Sequence, residues 1–153
     1  MIYSVTDVKK ACNKLLRSTF PEITIYNNDT LDGYKRPSFF TEIRQNGSTK
    51  KYARYVKEFG YTFIITLFET THDESYCLEV YQKIADAFRD RITIVNSNGV
   101  KKYMSVDSIE YSWIDEHSDK LQVMVNFDPV RELGDEPEPT EPVMEDLNVT
   151  VNN

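Results

Sequence analysis

Two histidines and two cysteines are the side chains best suited to hold a metal, and their spacing argues against one. His72 and His117 stand 45 residues apart, and Cys12 and Cys77 each fall alone on an apolar helical stripe. A structural metal needs clustered ligands, so neither metal nor cofactor is expected, and both thiols are read as core packing. No nucleophile-elbow motif and no glycine-rich phosphate loop is present, and the chain has only 5 glycines with which to build one. Asp115, Glu116 and Asp119 could be drawn as an acid–base pair, but they fall in an expected hairpin turn, where acidic residues are ordinarily solvated. No catalytic residue is assigned, and no enzymatic activity is expected.

The charge distribution is more informative. Between residues 35 and 59, Lys35, Arg36, Arg44, Lys50, Lys51, Arg54 and Lys57 face only Glu42 and Glu58. The chain as a whole carries −7, and the excess sits at one end. Glu132, Asp135, Glu136, Glu138, Glu141, Glu145 and Asp146 follow one another with no Lys or Arg, and the body up to Arg131 is formally neutral. Three readings of the basic stretch are open: a nucleic-acid site, a solvated hairpin, or a protein contact. Phe40, Tyr52 and Tyr55 lie near the cations, as nucleic-acid binding would want. Strand alternation, however, divides these cations between two faces. Protein contact is therefore the preferred reading, through Arg44, Lys50, Lys51, Arg54 and Lys57.

These residues need elements to carry them. A length of 153 residues suits one domain. Val5, Val8, Cys12, Leu15 and Leu16 recur at helical spacing, with Ser4 or Thr6 as N-cap and Phe20-Pro21 as the stop. Ile23–Tyr26 is a short β-branched run. From Pro37 the period becomes two, and Gln45-Asn-Gly-Ser48 reads as a turn. In the strand that follows, Tyr61, Phe63, Ile65 and Leu67 alternate with Thr62, Ile64, Thr66 and Phe68, so both faces are fairly apolar and the strand is expected to be central. Thr71 and Glu74 have capping-box spacing before a second helix, whose stripe is Cys77, Val80, Ile84 and Phe88. Strands are expected at Ile92–Val95, Tyr103–Trp113 and Leu121–Phe127, with turns at Asn98-Gly99 and at residues 115–119.

The order helix, strands, helix, strands predicts an α+β fold: an antiparallel or mixed sheet with both helices on one face and a long hairpin arm. Residues 1–131 are expected to form the domain. Residues 132–153 alternate acids with Pro137, Pro139 and Pro142, a composition that buries little. The terminal Leu147-Asn-Val-Thr-Val-Asn regains β character and suits docking on a neighbour. Glu136, Glu138, Glu141, Leu147, Val149 and Val151 are the candidate docking residues. The opening MIYSVTDVKK has no apolar run of signal-peptide length, and no stretch approaches the ~18 apolar residues of a membrane span. The expected compartment is a reducing cytoplasm, with no membrane partner.

In order, the segments MIYSVTDVKKACNKLL, FPEITIYNND, GYKRPSFF, RYVKEFGYTFIITLFE and SYCLEVYQKI resemble the tail terminator, or tail completion, proteins of long-tailed bacteriophages and prophage-derived tails. The similarity spans roughly residues 1–130. It implies a small α+β subunit and a homo-oligomer, a hexameric ring on the finished tail tube. Such a ring ends tube polymerisation and offers a surface to a head-completion or connector protein. It implies a virion protein at the head-proximal end of the tail, assembled in the host cytoplasm, with DNA passing through the channel without specific binding. The competing function is a nucleic-acid-binding module using the basic hairpin of residues 35–57.

Overall fold

A computed structural model describes residues 4–27, 35–53 and 56–133. The first helix, α1 (Val5–Thr19), starts where Ser4 and Asp7 exchange bonds: each side chain accepts the other's backbone N–H, at 3.1 and 3.0 Å. Asp7 also places a negative charge at the positive end of the helix dipole. The helix stops at Phe20, as the following proline requires. The second helix, α2 (Glu74–Ala87), starts two residues later than the expected capping box places it. Asp73, not Thr71, is the N-cap, and its carboxylate accepts the Tyr76 N–H. The Asp73 carboxylate meets that donor at 3.3 Å, and the cap is made without the Thr71–Glu74 pairing.

Seven strands follow the chain as β1 (Thr24–Tyr26), β2 (Ser38–Ala53), β3 (Val56–Phe68), β4 (Arg91–Val95), β5 (Lys101–Ile114), β6 (Lys120–Phe127) and β7 (Val130–Leu133). The sheet order is β1-β2-β3-β6-β5-β4, with β7 beside the far half of β3. Only β1 runs parallel to its neighbour. The sheet is thus mixed and β3 is central, as its two apolar faces predict: Phe63, Ile65 and Leu67 are buried on one face, Thr62, Ile64 and Thr66 on the other.

One covered face holds the core. Val8, Cys12 and Leu16 from α1 meet Cys77, Val80 and Ile84 from α2 over Phe63, Ile65, Val123 and Val125. Phe88, at the end of α2, stacks on Phe63 at 6.0 Å. Val5 and Leu15, expected inside, are only half-buried at the margin of this core. A polar clasp fixes α1 against β2. The fully buried Thr41 hydroxyl donates to Asn13 Oδ1 at 3.0 Å, and Asn13 Nδ2 donates to Asn27 Oδ1 at 2.9 Å. Among the described residues, no helix lies over the opposite face. There Asn126 reaches Thr62 at 2.8 Å on one side and Ser108 at 3.1 Å on the other, a polar ladder across three strands.

The turn expected at Gln45–Ser48 is not a turn. β2 runs on to Ala53, and the chain reverses between the paired residues Ala53 and Val56. Asn46 pairs with Gly60 and Lys50 with Glu58, so Gly47, Ser48 and Thr49 stand opposite Phe59 alone. The Asn-Gly signal is absorbed as a bulge. Extra residues on one strand can be accommodated this way, with added local twist, when the strands on either side keep pairing.

Candidate assembly surface

The hairpin of β2 and β3 extends well beyond the part of the sheet that β6 completes. β6 pairs only with Thr62–Thr66 of β3, whereas β2 stays with β3 from Ser38 to Ala53. Phe59 is the last core residue on the way out, 4 % exposed against Val8, Ile94 and Val130. Beyond it, β3 continues for Val56–Glu58, roughly 10 Å at ~3.3 Å per residue.

A third strand accompanies this arm. After Phe127 the chain passes Asp128 and Pro129 and resumes as β7, antiparallel to β3 at Val56–Phe59. Two registers of charge result. Lys50, Glu58 and Arg131 are partners across β2, β3 and β7; Lys51, Lys57 and Glu132 form the next row. Arg131 Nε donates to Glu58 Oε2 at 2.9 Å, with side-chain exposures of 55 % and 25 %. Such a half-exposed pair is worth ~0–1 kcal/mol. The acidic segment that begins at Glu132 thus starts within the arm, alongside its cations.

The other named cations fall in different places. Arg44 is exposed and lies 3.4 Å from Glu42, at the inner part of the hairpin. Arg36 is committed at the base, where its guanidinium donates to the Glu69 carbonyl at 2.8 Å. Lys50, Lys51 and Lys57 occupy arm positions by register. Arg54 lies outside the described residues, as do Glu136, Glu138, Glu141, Leu147, Val149 and Val151. The geometry therefore gathers Lys50, Lys51 and Lys57 on the arm and leaves Arg44 nearer its root.

Asp115 binds Lys120 at 3.0 Å in the β5–β6 turn, and that hydrogen bond holds its carboxyl below the ordinary range. Asp115 (φ 84°) and Ser118 (φ 50°) shape the turn, and His117 is exposed within it. Cys12 is buried, and burial pushes its thiol far above the usual range.

One cluster was missed in the sequence. Glu69, His72 and Cys77 bring a carboxylate oxygen, a ring nitrogen and a sulfur within 4.8 Å of one another. Their spacing within nine residues was the available signal. A carboxylate, imidazole and thiolate form a donor set that zinc accepts. Here each donor already has a partner. The Cys77 thiol donates to Glu69 Oε2 at 2.9 Å, and burial together with that bond pushes it up to about 12. His72 Nδ1 meets the Asp119 carbonyl at 2.9 Å, and its ring packs edge-on against Trp113 at 5.3 Å. The cluster ties the entry of α2 to the β5–β6 turn.

With this geometry in place, the comparisons are specific. Residues 7–139 match the family model described as phage tail terminator protein. No curated protein matches the chain. Among solved structures, a chain from a structure titled "Virion of native gene transfer agent (GTA) particle" aligns with a TM-score of 0.56 at 12 % identity. The alignment covers 86 % of this chain and 99 % of that one, which establishes a shared fold. The family match reaches past β7 into the acidic segment and takes in α1 from Asp7 onward, all of α2 and every described strand. The chain belongs to the phage tail terminator protein family, and is a structural component of the virion tail.

Proposed function

We propose that residues 1–131 form the subunit of a ring, a hexamer, that caps the tail tube, stops its polymerisation and presents the joining surface to a head-completion or connector protein. Residues 132–153 are its acidic extension. The reading rests on family membership and on one structural observation: the three-stranded arm of β2, β3 and β7, which carries Lys50, Lys51 and Lys57 beyond the core. A terminator must match the tube end on one side and offer no copy of that surface on the other. A subunit that grips its neighbour through a different surface makes a heterologous contact, and such contacts close into a ring when the rotation permits. An arm reaching out of the fold supplies that contact. DNA passes through the channel without specific binding, and the chain has no catalytic role.

The test is triple charge reversal, Lys50→Glu, Lys51→Glu and Arg54→Glu, scored by negative-stain microscopy of tail tubes mixed with the protein and by light scattering. The fold should survive, because Lys50 and Lys51 pair on the arm, beyond the core. Capping should weaken, giving overlong tubes or tails that fail to join heads. Normal capping by the variant would reduce the arm to solvated surface. Normal capping with loss of a measurable, salt-dependent DNA affinity would establish the nucleic-acid reading instead.

A further inference from the structure

The acidic extension has a complementary groove on the body. Between α1 and β4 lies an open groove of about 550 Å³. Four of its lining residues are cationic: Lys10 and Lys14 on α1, Arg91 on β4 and Lys101 on β5. One acid, Asp7, joins them, and it is engaged in the α1 cap. All four cations are exposed, and among the described residues none is in an ion pair. Arg91 is held in place by stacking over Tyr103 at 4.0 Å. Between the cations the lining is partly apolar, with Ala11, Leu15 and Ile92. In a body whose formal charge is zero, this is a local excess of positive charge over an apolar floor.

The segment beyond Leu133 has the inverse character. Residues 134–146 carry six acids, no Lys or Arg, and three prolines, with Val143 and Met144 among them. Prolines favour an extended backbone that loses less entropy on docking, and carboxylates at alternate positions suit cations on both walls of a groove. Its point of departure decides whose groove it meets. β7 ends at Leu133, opposite Val56 and next to the chain reversal, so the extension leaves from the far end of the arm. The 20 residues from 134 to 153 span up to ~66 Å when extended. An arm that contacts a neighbour therefore delivers the extension to that neighbour.

We propose that the acidic segment around Glu136, Glu138 and Glu141 docks in the α1–β4 groove of an adjacent copy, against Lys10, Lys14, Arg91 and Lys101. The contact rests on the ring reading and specifies it: each subunit is clasped by the extension of the next. Because the pairs are exposed, salt weakens the clasp.

Two variants test it as full-length chains. One reverses the extension (Glu136→Lys, Glu138→Lys, Glu141→Lys), the other the groove (Lys10→Glu, Lys14→Glu, Lys101→Glu). Ring size is read by light scattering and sedimentation, alone or on tube ends, with the unmodified chain in parallel. Each variant alone should assemble roughly ten- to hundredfold more weakly, as three exposed pairs imply. Mixing the two restores assembly, because in a mixed ring every extension meets a groove of opposite sign. Circular dichroism checks that both remain folded; a misfolded groove variant is replaced by Lys10→Gln, Lys14→Gln, Lys101→Gln, which should weaken assembly in the same direction. Undiminished assembly of the folded variants overturns the proposal. So does rescue only when both sets are combined in one chain and not by mixing, since that places the extension in its own groove. If the unmodified chain itself forms no ring, alone or on tubes, the ring reading falls first and the clasp with it.

Discussion

Removing the amide of Asn13 tests how α1 is registered on the sheet. Asn13 is 9 % exposed on a helix face otherwise made of Val8, Cys12 and Leu16. Its side chain accepts from Thr41, which is fully buried, and donates to Asn27. Asn13→Ala deletes both bonds. Leaving a buried polar group unpaired costs ~1–3 kcal/mol. The Thr41 hydroxyl can turn instead to Asn27 Oδ1, which lies 3.3 Å away, so the lower part of that range applies, ~1–2 kcal/mol. For a chain of this size, ~2–4 °C per kcal/mol translates this into a melting temperature lower by about 2–8 °C. The informative assay is a double-mutant cycle with Thr41→Val, by urea denaturation at fixed protein concentration, since assembly would shift apparent stability. Valine removes the hydroxyl that Asn13 satisfies, so the second substitution costs less once the first is made. The expected coupling is ~0.5–1.5 kcal/mol, and effects that add to within ~0.3–0.5 kcal/mol would refute the clasp.

Ile84 is completely buried between α2 and the sheet, so Ile84→Ala should cost ~2–5 kcal/mol and depress melting clearly; a neutral result would mean that α2 presents a different face. Both thiols titrate above the ordinary 9.0, with Cys77 at about 12. The unfolded chain therefore releases these protons first, and stability should fall as pH rises above about 9. The urea midpoint followed across that window should decline, with a flatter slope in a Cys12→Ala, Cys77→Ser double variant; an identical slope in that variant would remove the thiols as its cause.

Local pattern determined much of this molecule. The helical stripe of Val8, Cys12 and Leu16, the stop at Phe20-Pro21 and the alternation of Leu121–Phe127 need only nearest neighbours to be interpreted, and the helices and strands form as those patterns require. The α+β class follows from them, because two one-sided helices and a sheet have few ways to cover each other. The ordered segments from MIYSVTDVKK to SYCLEVYQKI carried the family resemblance, and the match over residues 7–139 agrees with it. Features that depend on partners remote in sequence were not legible. The Asn46-Gly47 signal was locally a turn, but the pairing of Lys50 with Glu58 and Ala53 with Val56 extends the strand and leaves a bulge there. Thr71 was a plausible cap until Asp73 proved better placed for the Tyr76 N–H. Cys77 read as part of an apolar helical stripe and His72 as a residue ahead of that helix, and only the turn into α2 brings both to Glu69. Most of all, Glu132 opens an acidic run whose composition buries little, and nothing in that run announces that β7 carries its first residue along the arm opposite Lys57. Sheet pairing joins residues 75 positions apart, and hydropathy along the chain holds no record of which edge a four-residue strand will choose.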